Sequence, residues 1–147
     1  MPDSLDDASI ERVLKSAILG RIGMHVAGRT YVVPITYAYD GTSVYCHSND
    51  GLKLRMMREH SLVCFEVDRM RDLVNWESVI AWGNYEELSG DEALRGLTMI
   101  VERIRPLITS DIVHPSPVKA GSERKPAGPA VVFRIRLHEK TGRFEKR

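Results

Sequence analysis

The sequence predicts an α+β fold that is mainly β, with six antiparallel strands and two or three helices. Three observations carry this. A helical apolar period appears only near residues 6–17 and between Ser89 and Pro106. Elsewhere β-branched and aromatic residues dominate short runs, often alternating with polar ones, as in strands with one buried face. Turn signals such as Asp40-Gly41 separate closely spaced runs, so neighbouring strands run antiparallel. Such a sheet curls into a small barrel. An open sheet with helices on one face would give the same periodicity.

At 147 residues the chain is one domain with a core large enough to need no staple. Lys and Arg number 21 against 20 Asp and Glu, a balance that argues against a general nucleic-acid binder. The acidic start "MPDSLDDASI" lacks the basic, then apolar pattern of a secretory signal. No apolar run approaches the roughly 20 residues of a membrane span. Cys46 and Cys64 sit in apolar runs, as reduced buried thiols do. The expected location is the cytoplasm.

Ser4 and Asp7 have capping-box spacing, and Ile10, Val13, Leu14, Ala17 and Ile18 share one face, predicting a helix over about 6–17. "RIGMHVAGRTYVVPITYAYDGTSVYCHS" follows as a three-stranded meander turning at Ala27-Gly28-Arg29 and Asp40-Gly41. A second helix starts near Asn49 to Gly51, and "SLVCFEVD" and "VNWESVIAWGNYEEL" are the next strands, Gly83 marking a bend or bulge. Ser89 and Glu92 box a helix that buries Leu94, Leu97, Val101 and Ile104 and ends at Pro106. Residues 106–130 form a long Pro-rich loop. The last strand is "VVFRIRLHEKTGR", and "RFEKR" overlaps its end as a solvated tail.

Chemistry concentrates around "VYCHSNDGLKLRMM". The first N–H groups of a helix lack intrahelical partners, and its dipole is positive there. Lys53 adds a charge, Ser48 and Asn49 add short polar groups, and Gly51 allows close approach, so an anion such as phosphate fits. Asp50 opposes this unless it caps the helix and faces aside. The spacing is not that of the GxxxxGK[ST] loop. Local sequence alone favours a solvated lysine on an N-capped surface helix. His47 is a structural or cofactor-lining histidine, because none of the five histidines has metal-site spacing. No serine sits in a GxSxG elbow. Trp76 and Trp82 share a strand face and are core or dimer-interface residues.

"YVVPITYAYDG", "YCHSNDGLK" and "CFEVD", in this order and spacing, resemble the pyridoxamine 5'-phosphate oxidase-like flavin-binding split barrels, especially the branch of nitroimidazole-resistance proteins. The resemblance covers about residues 8–105 and the last strand. It implies a six-stranded split barrel with flanking helices, forming a homodimer with FMN in clefts between subunits. Val33, Pro34, Ile35 and Thr36 would lie along the flavin ring with their backbone groups at its polar edge. Cys46, His47 and Ser48 would flank the ribityl chain and phosphate, and Lys53 would grip the phosphate.

Ser78 stands where the oxidases carry a flavin-contacting glutamine, and Leu52 where they carry a second basic residue. The Trp and Arg segment that completes the oxidase site has no counterpart here, so synthesis of pyridoxal phosphate is not expected. The expected function is an FMN-dependent oxidoreductase acting on a small molecule, such as a nitroaromatic, with NAD(P)H as a donor. The alternatives are a flavin or haem binder without turnover, and a reductase using the deazaflavin F420. No nucleic-acid or membrane partner and no metal is expected.

Overall fold

The computed structural model describes residues 2–108 and 130–147. Its elements are β1 (Asp3–Ser4), α1 (Asp7–Ser16), β2 (Leu19–Val26), β3 (Arg29–Thr36), β4 (Ala38–Tyr39), β5 (Ser43–Asn49), α2 (Leu52–Glu59), β6 (Leu62–Asp72), β7 (Asn75–Glu87), α3 (Gly90–Ile104) and β8 (Ala130–Glu145). Most of the expected 106–130 loop, residues 109–129, lies outside the described residues. Ahead of it, Arg105–Leu107 form a 3₁₀ turn containing Pro106.

The strands form one antiparallel sheet in the order β3-β2-β6-β7-β8-β5-β4, with β1 added to β8. The ends of that order, β3 and β4, are separated along the chain only by Tyr37. The sheet therefore closes on itself: the chain leaves one edge at Thr36 and joins the other at Ala38. This decides for the barrel over the open sheet. It also corrects the predicted three-stranded meander: the chain between the two turns splits at Tyr37 into β3, which pairs with β2, and β4, which pairs with β5, so β3 and β5 are not neighbours. Tyr37 and Ala38 are both buried although adjacent, because a chain that changes sheet edge turns successive side chains inward.

Tyr37 fastens this seam. Its N–H donates to the Ile18 carbonyl at 3.0 Å, its hydroxyl to the Leu14 carbonyl at 2.6 Å, and its ring meets Phe65 edge-on at 4.9 Å. The Leu14 carbonyl is one of the four left over at the end of α1. The others are also met: Val13 by the Ala17 N–H, and Lys15 and Ser16 by the Arg103 guanidinium of α3 at 3.3 and 2.8 Å. On the other side, Lys140 donates to Glu11 at 2.7 Å and to the Tyr39 hydroxyl at 2.8 Å, tying α1 to β4 and β8.

Both predicted hairpin turns form. Ala27 and Gly28 link β2 to β3 at φ 52° and 77°, and Gly41 has φ 103°, the left-handed region where glycine is unstrained. The Asp40 carboxylate braces the second turn, accepting from the N–H groups of Thr42 and Ser43 at 2.8 Å each. Gly83 does mark a bulge: the β7–β8 register shifts between Trp82 and Gly83. A Cβ at Gly83 would run into the carbonyl of Arg136.

Several local expectations are corrected. Asp6, not Ser4, caps α1, its carboxylate accepting from the Ser9 N–H at 2.8 Å, while Ser4 is taken up in β1. Ser89 is the N-cap of α3 but makes no side-chain capping bond. The buried face of α3 is Gly96 and Ile100, whereas Leu94 is 64% exposed. Gly96 sets this rotation because it lets the helix sit against Tyr45 and Val132. The "RFEKR" segment is no solvated tail: Arg143 and Phe144 pair with β1 on one side and β7 on the other.

The core fills the barrel. Ile22, Val63, Phe65, Val67, Val79, Ala81, Phe133 and Ile135 point inward from the strands, while Val13 and Leu14 of α1 and Leu54 and Met57 of α2 close it. The alternation predicted for "VVFRIRLHEKTGR" holds as far as Leu137, after which the bulge shifts its phase.

Candidate functional site

β5 leads through Asp50 and Gly51 into α2. Gly51 is the N-cap, in extended backbone with no side-chain capping bond, so the first-turn N–H groups of α2 have no side-chain acceptor. Asp50 is neither the cap nor aimed at the helix start. Arg58, one face round α2, draws its carboxylate aside at 3.1 Å and also holds Glu87 at 2.8 Å. The one acidic group that opposed an anion here is thereby turned aside, sharing Arg58 with Glu87. Lys53, in the first turn, is half-buried and makes no ion pair or hydrogen bond among the described residues. An ammonium held partly out of water with no counterion favours any anion that reaches it.

β3 ends the strand order, so among the described residues its second edge has no strand partner. Proline is tolerated at such an edge because it withholds no needed ladder donor, and Pro34 sits there opposite Arg21. The two faces of β3 separate the predicted residues. Val33 and Ile35 turn toward the core, whereas Pro34 and Thr36 are exposed outside.

β5 divides in the same way. Cys46 is wholly buried and Ser48 half-buried on the inner side, and the Ser48 hydroxyl donates to the Asn49 carbonyl at 2.9 Å. His47 projects to the opposite face and is exposed. Burial pushes the Cys46 thiol well above its ordinary value, while the charge of nearby Lys53 pulls the other way. With its thiol sealed in the core, Cys46 would flank a ligand through its backbone.

Ser78 lies elsewhere. On the outer face of the sheet, Pro34, Arg21, Glu66 and Ile80 form a row across β3, β2, β6 and β7. Thr36 and Ser78 stand two residues beyond that row in the same direction. The Ser78 partner Asp68 is separated from Leu62, where β6 leaves α2, by a rise of about 20 Å.

The same face holds a polar group that sequence reasoning missed. Arg21 reaches Glu66 at 3.4 Å and Asp68 at 3.5 Å, and the Ser78 hydroxyl donates to Glu66 at 3.3 Å. Partial burial, and then the adjacent Asp68 carboxylate, raise Glu66 above the usual carboxylate range, against the pull of Arg21. The signal was present in "CFEVD", where alternation puts both carboxylates on one face.

Trp76 and Trp82 are half-buried on this outer face. Among the described residues no three His, Cys, Asp or Glu side chains are grouped to hold a metal ion. No helix of the described residues is long and apolar enough to cross a membrane.

An antiparallel barrel whose two edge strands are joined through a single residue but not paired, with helices packed on its core, defines the split-barrel class. The chain belongs to the pyridoxamine 5'-phosphate oxidase family, whose sequence model matches residues 6–144. Among solved structures it resembles an FAD-binding protein from Mesorhizobium loti, with 27% identity, a TM-score of 0.78 and 99% of each chain covered. It also resembles a candidate 5-nitroimidazole antibiotic resistance protein from Bacteroides thetaiotaomicron VPI-5482, with 21% identity and a TM-score of 0.74 over 98% of this chain and 87% of that one. An uncharacterized protein of Rhizobium meliloti (strain 1021) is 34% identical over 76 residues, 52% of this chain. The match spans half the length of that relative, 50%.

Proposed function

We propose that the chain is a flavoprotein that binds FMN in a cleft between two subunits and works as a homodimeric oxidoreductase on a small molecule. The observation that carries this is Lys53: a half-buried cation with no partner among the described residues, in the first turn of a helix with no side-chain cap. The residues present fit the group. Lys53 and the first N–H groups of α2 would face its phosphate, and Ser48 lies on the same inner side of β5. The free edge of β3 from Val33 to Thr36 would offer backbone N–H and C=O groups to the polar rim of the ring.

When bound, FMN supplies the electron-carrying chemistry. The chain's own part is to bind it, orient it and exclude water. The exposed strip of Val32, Pro34 and Thr36 and the half-buried tryptophans of β7 are the surfaces through which a second subunit would cover the site. The FAD-binding and nitroimidazole-resistance descriptions of the structural neighbours support a flavin and a nitroaromatic acceptor respectively.

The test is the visible spectrum of the native protein, followed by FMN titration of the flavin-free chain by fluorescence quenching. Saturable binding in a dimer by light scattering is expected. A colourless protein that does not quench FMN would overturn the reading. Stopped-flow mixing with NADH, NADPH or reduced F420 then separates an oxidoreductase from a flavin or haem binder without turnover.

A further inference from the structure

Asp50 stands one residue ahead of the N-cap of α2, beside first-turn N–H groups with no side-chain acceptor and three residues before a cation. The partial positive charge of the helix start and the ammonium of Lys53 both attract a carboxylate placed there. Yet Asp50 makes no ion pair with Lys53; its partner among the described residues is Arg58, at 3.1 Å. Side chains on a helix lean toward its N-terminus, so Arg58 in the last turn of α2 reaches back to a residue ahead of the first. Arg58 follows Lys53 by five residues, about 140° round the helix, and a carboxylate held by it is held away from the cation.

The guanidinium is anchored from the barrel side. Its Nε donates to Glu87 at 2.8 Å, and the same Glu87 oxygen accepts from the Tyr85 hydroxyl at 2.6 Å. Tyr85 is a core residue, its ring packed on that of Phe133. A chain of contacts thus runs from the core through Glu87 and Arg58 to Asp50. An exposed ion pair standing alone is weak, because two long side chains must be ordered to make it. A fork already held at one nitrogen has less freedom to lose at the other.

We infer that Arg58 is a positioning residue for the phosphate end of the flavin site, keeping Asp50, the competing anion of the chain itself, out of the place at Lys53 that the phosphate would take. The inference rests on the flavin reading. The probes are FMN and riboflavin, which has the same ring and ribityl chain without the phosphate, each titrated into the flavin-free full-length protein by fluorescence quenching.

Arg58→Gln should weaken FMN binding about fivefold, the effect of one unit charge on another about 4 Å away in water, and leave riboflavin binding as it was. Asp50→Asn by itself should stay within about twofold of the parent, because the carboxylate is already held aside, yet in the Arg58→Gln background it should restore the lost affinity. Arg58→Lys keeps the charge without the fork and should fall between the parent and Arg58→Gln; it carries the comparison if the glutamine variant does not fold. Parent-like FMN binding by Arg58→Gln, an equal loss for riboflavin, or the same gain from Asp50→Asn in both backgrounds would overturn the inference and leave the flavin reading standing. A parent that binds riboflavin as tightly as FMN would remove the phosphate from Lys53, and the role of Arg58 with it. If the parent binds neither, the flavin reading itself falls.

Discussion

The Tyr37 hydroxyl hydrogen-bonds the Leu14 carbonyl at 2.6 Å, so the residue at which the barrel changes edge also finishes the C-terminus of α1. Tyr37→Phe keeps the ring against Phe65 and orphans that carbonyl. It should cost about 1–3 kcal/mol in urea unfolding, the penalty for a buried unsatisfied acceptor, and leave FMN affinity unchanged.

Lys53→Ala separates binding from folding. With no partner to lose among the described residues, its stability should stay within about 0.5 kcal/mol of the parent. FMN affinity should fall by about 1.5–3 kcal/mol, the range for hydrogen bonds to charged groups. Fluorescence titration measures it, and an unchanged affinity would return Lys53 to the role of a solvated lysine.

Gly83 has no room for a side chain, because a Cβ there meets the Arg136 carbonyl of the neighbouring strand. Gly83→Ala should destabilise by about 1–3 kcal/mol, as overpacking does, and loosen the β7–β8 bulge. Faster amide exchange at Leu137 and His138 would report the loosening.

Two carboxylates give stability opposite pH dependences. Hydrogen bonds from Arg136 and then Arg134 hold Glu86 down to about 2, from an ordinary value of 4.5. Its contribution is present above the ordinary value and lost as pH falls toward 2. Glu66 is raised, so its ionisation costs stability as pH climbs past 4.5. Urea midpoints at about pH 3, 5 and 7 test both. Glu86→Gln should flatten the acid-side loss, and Glu66→Gln should stabilise near neutrality but not in acid.

The two thiols should differ sharply. Cys64 is half-buried on the outer face and Cys46 wholly enclosed. A chromogenic disulfide reagent should titrate one thiol in the native protein and two after unfolding, and Cys64→Ser should abolish the native reaction.

Much of the fold was legible because strand alternation and turn chemistry are local. The two hairpin turns, the β6 and β7 strands, the Gly83 bulge and the final strand all announce themselves in short windows. What was not legible depends on contacts far apart in the chain. Apolar spacing put Leu94 and Val101 inside, but the close seat of Gly96 on Tyr45 turned α3 the other way. "RFEKR" looks solvated until β1 and β7 take it between them. The seam at Tyr37 hid inside one continuous strand-like run, "YVVPITYAY". At the site, Lys53 and the β3 residues were found through resemblance and placed by the fold. The withdrawal of Asp50 by Arg58, and the Arg21, Glu66 and Asp68 cluster, required the tertiary structure.

The open edge of β3 carries a hazard as well as an opportunity. A bare strand margin, with Val32 61% exposed beside it, is a template onto which an unfolding or cofactor-starved neighbour could add its own strand and begin to aggregate. Pro34, in the latter half of that margin, has no N–H to give an incoming strand, so the ladder stalls there. The proline in "YVVPITY" is therefore also a guard on the molecule's own solubility in the interval between synthesis and loading.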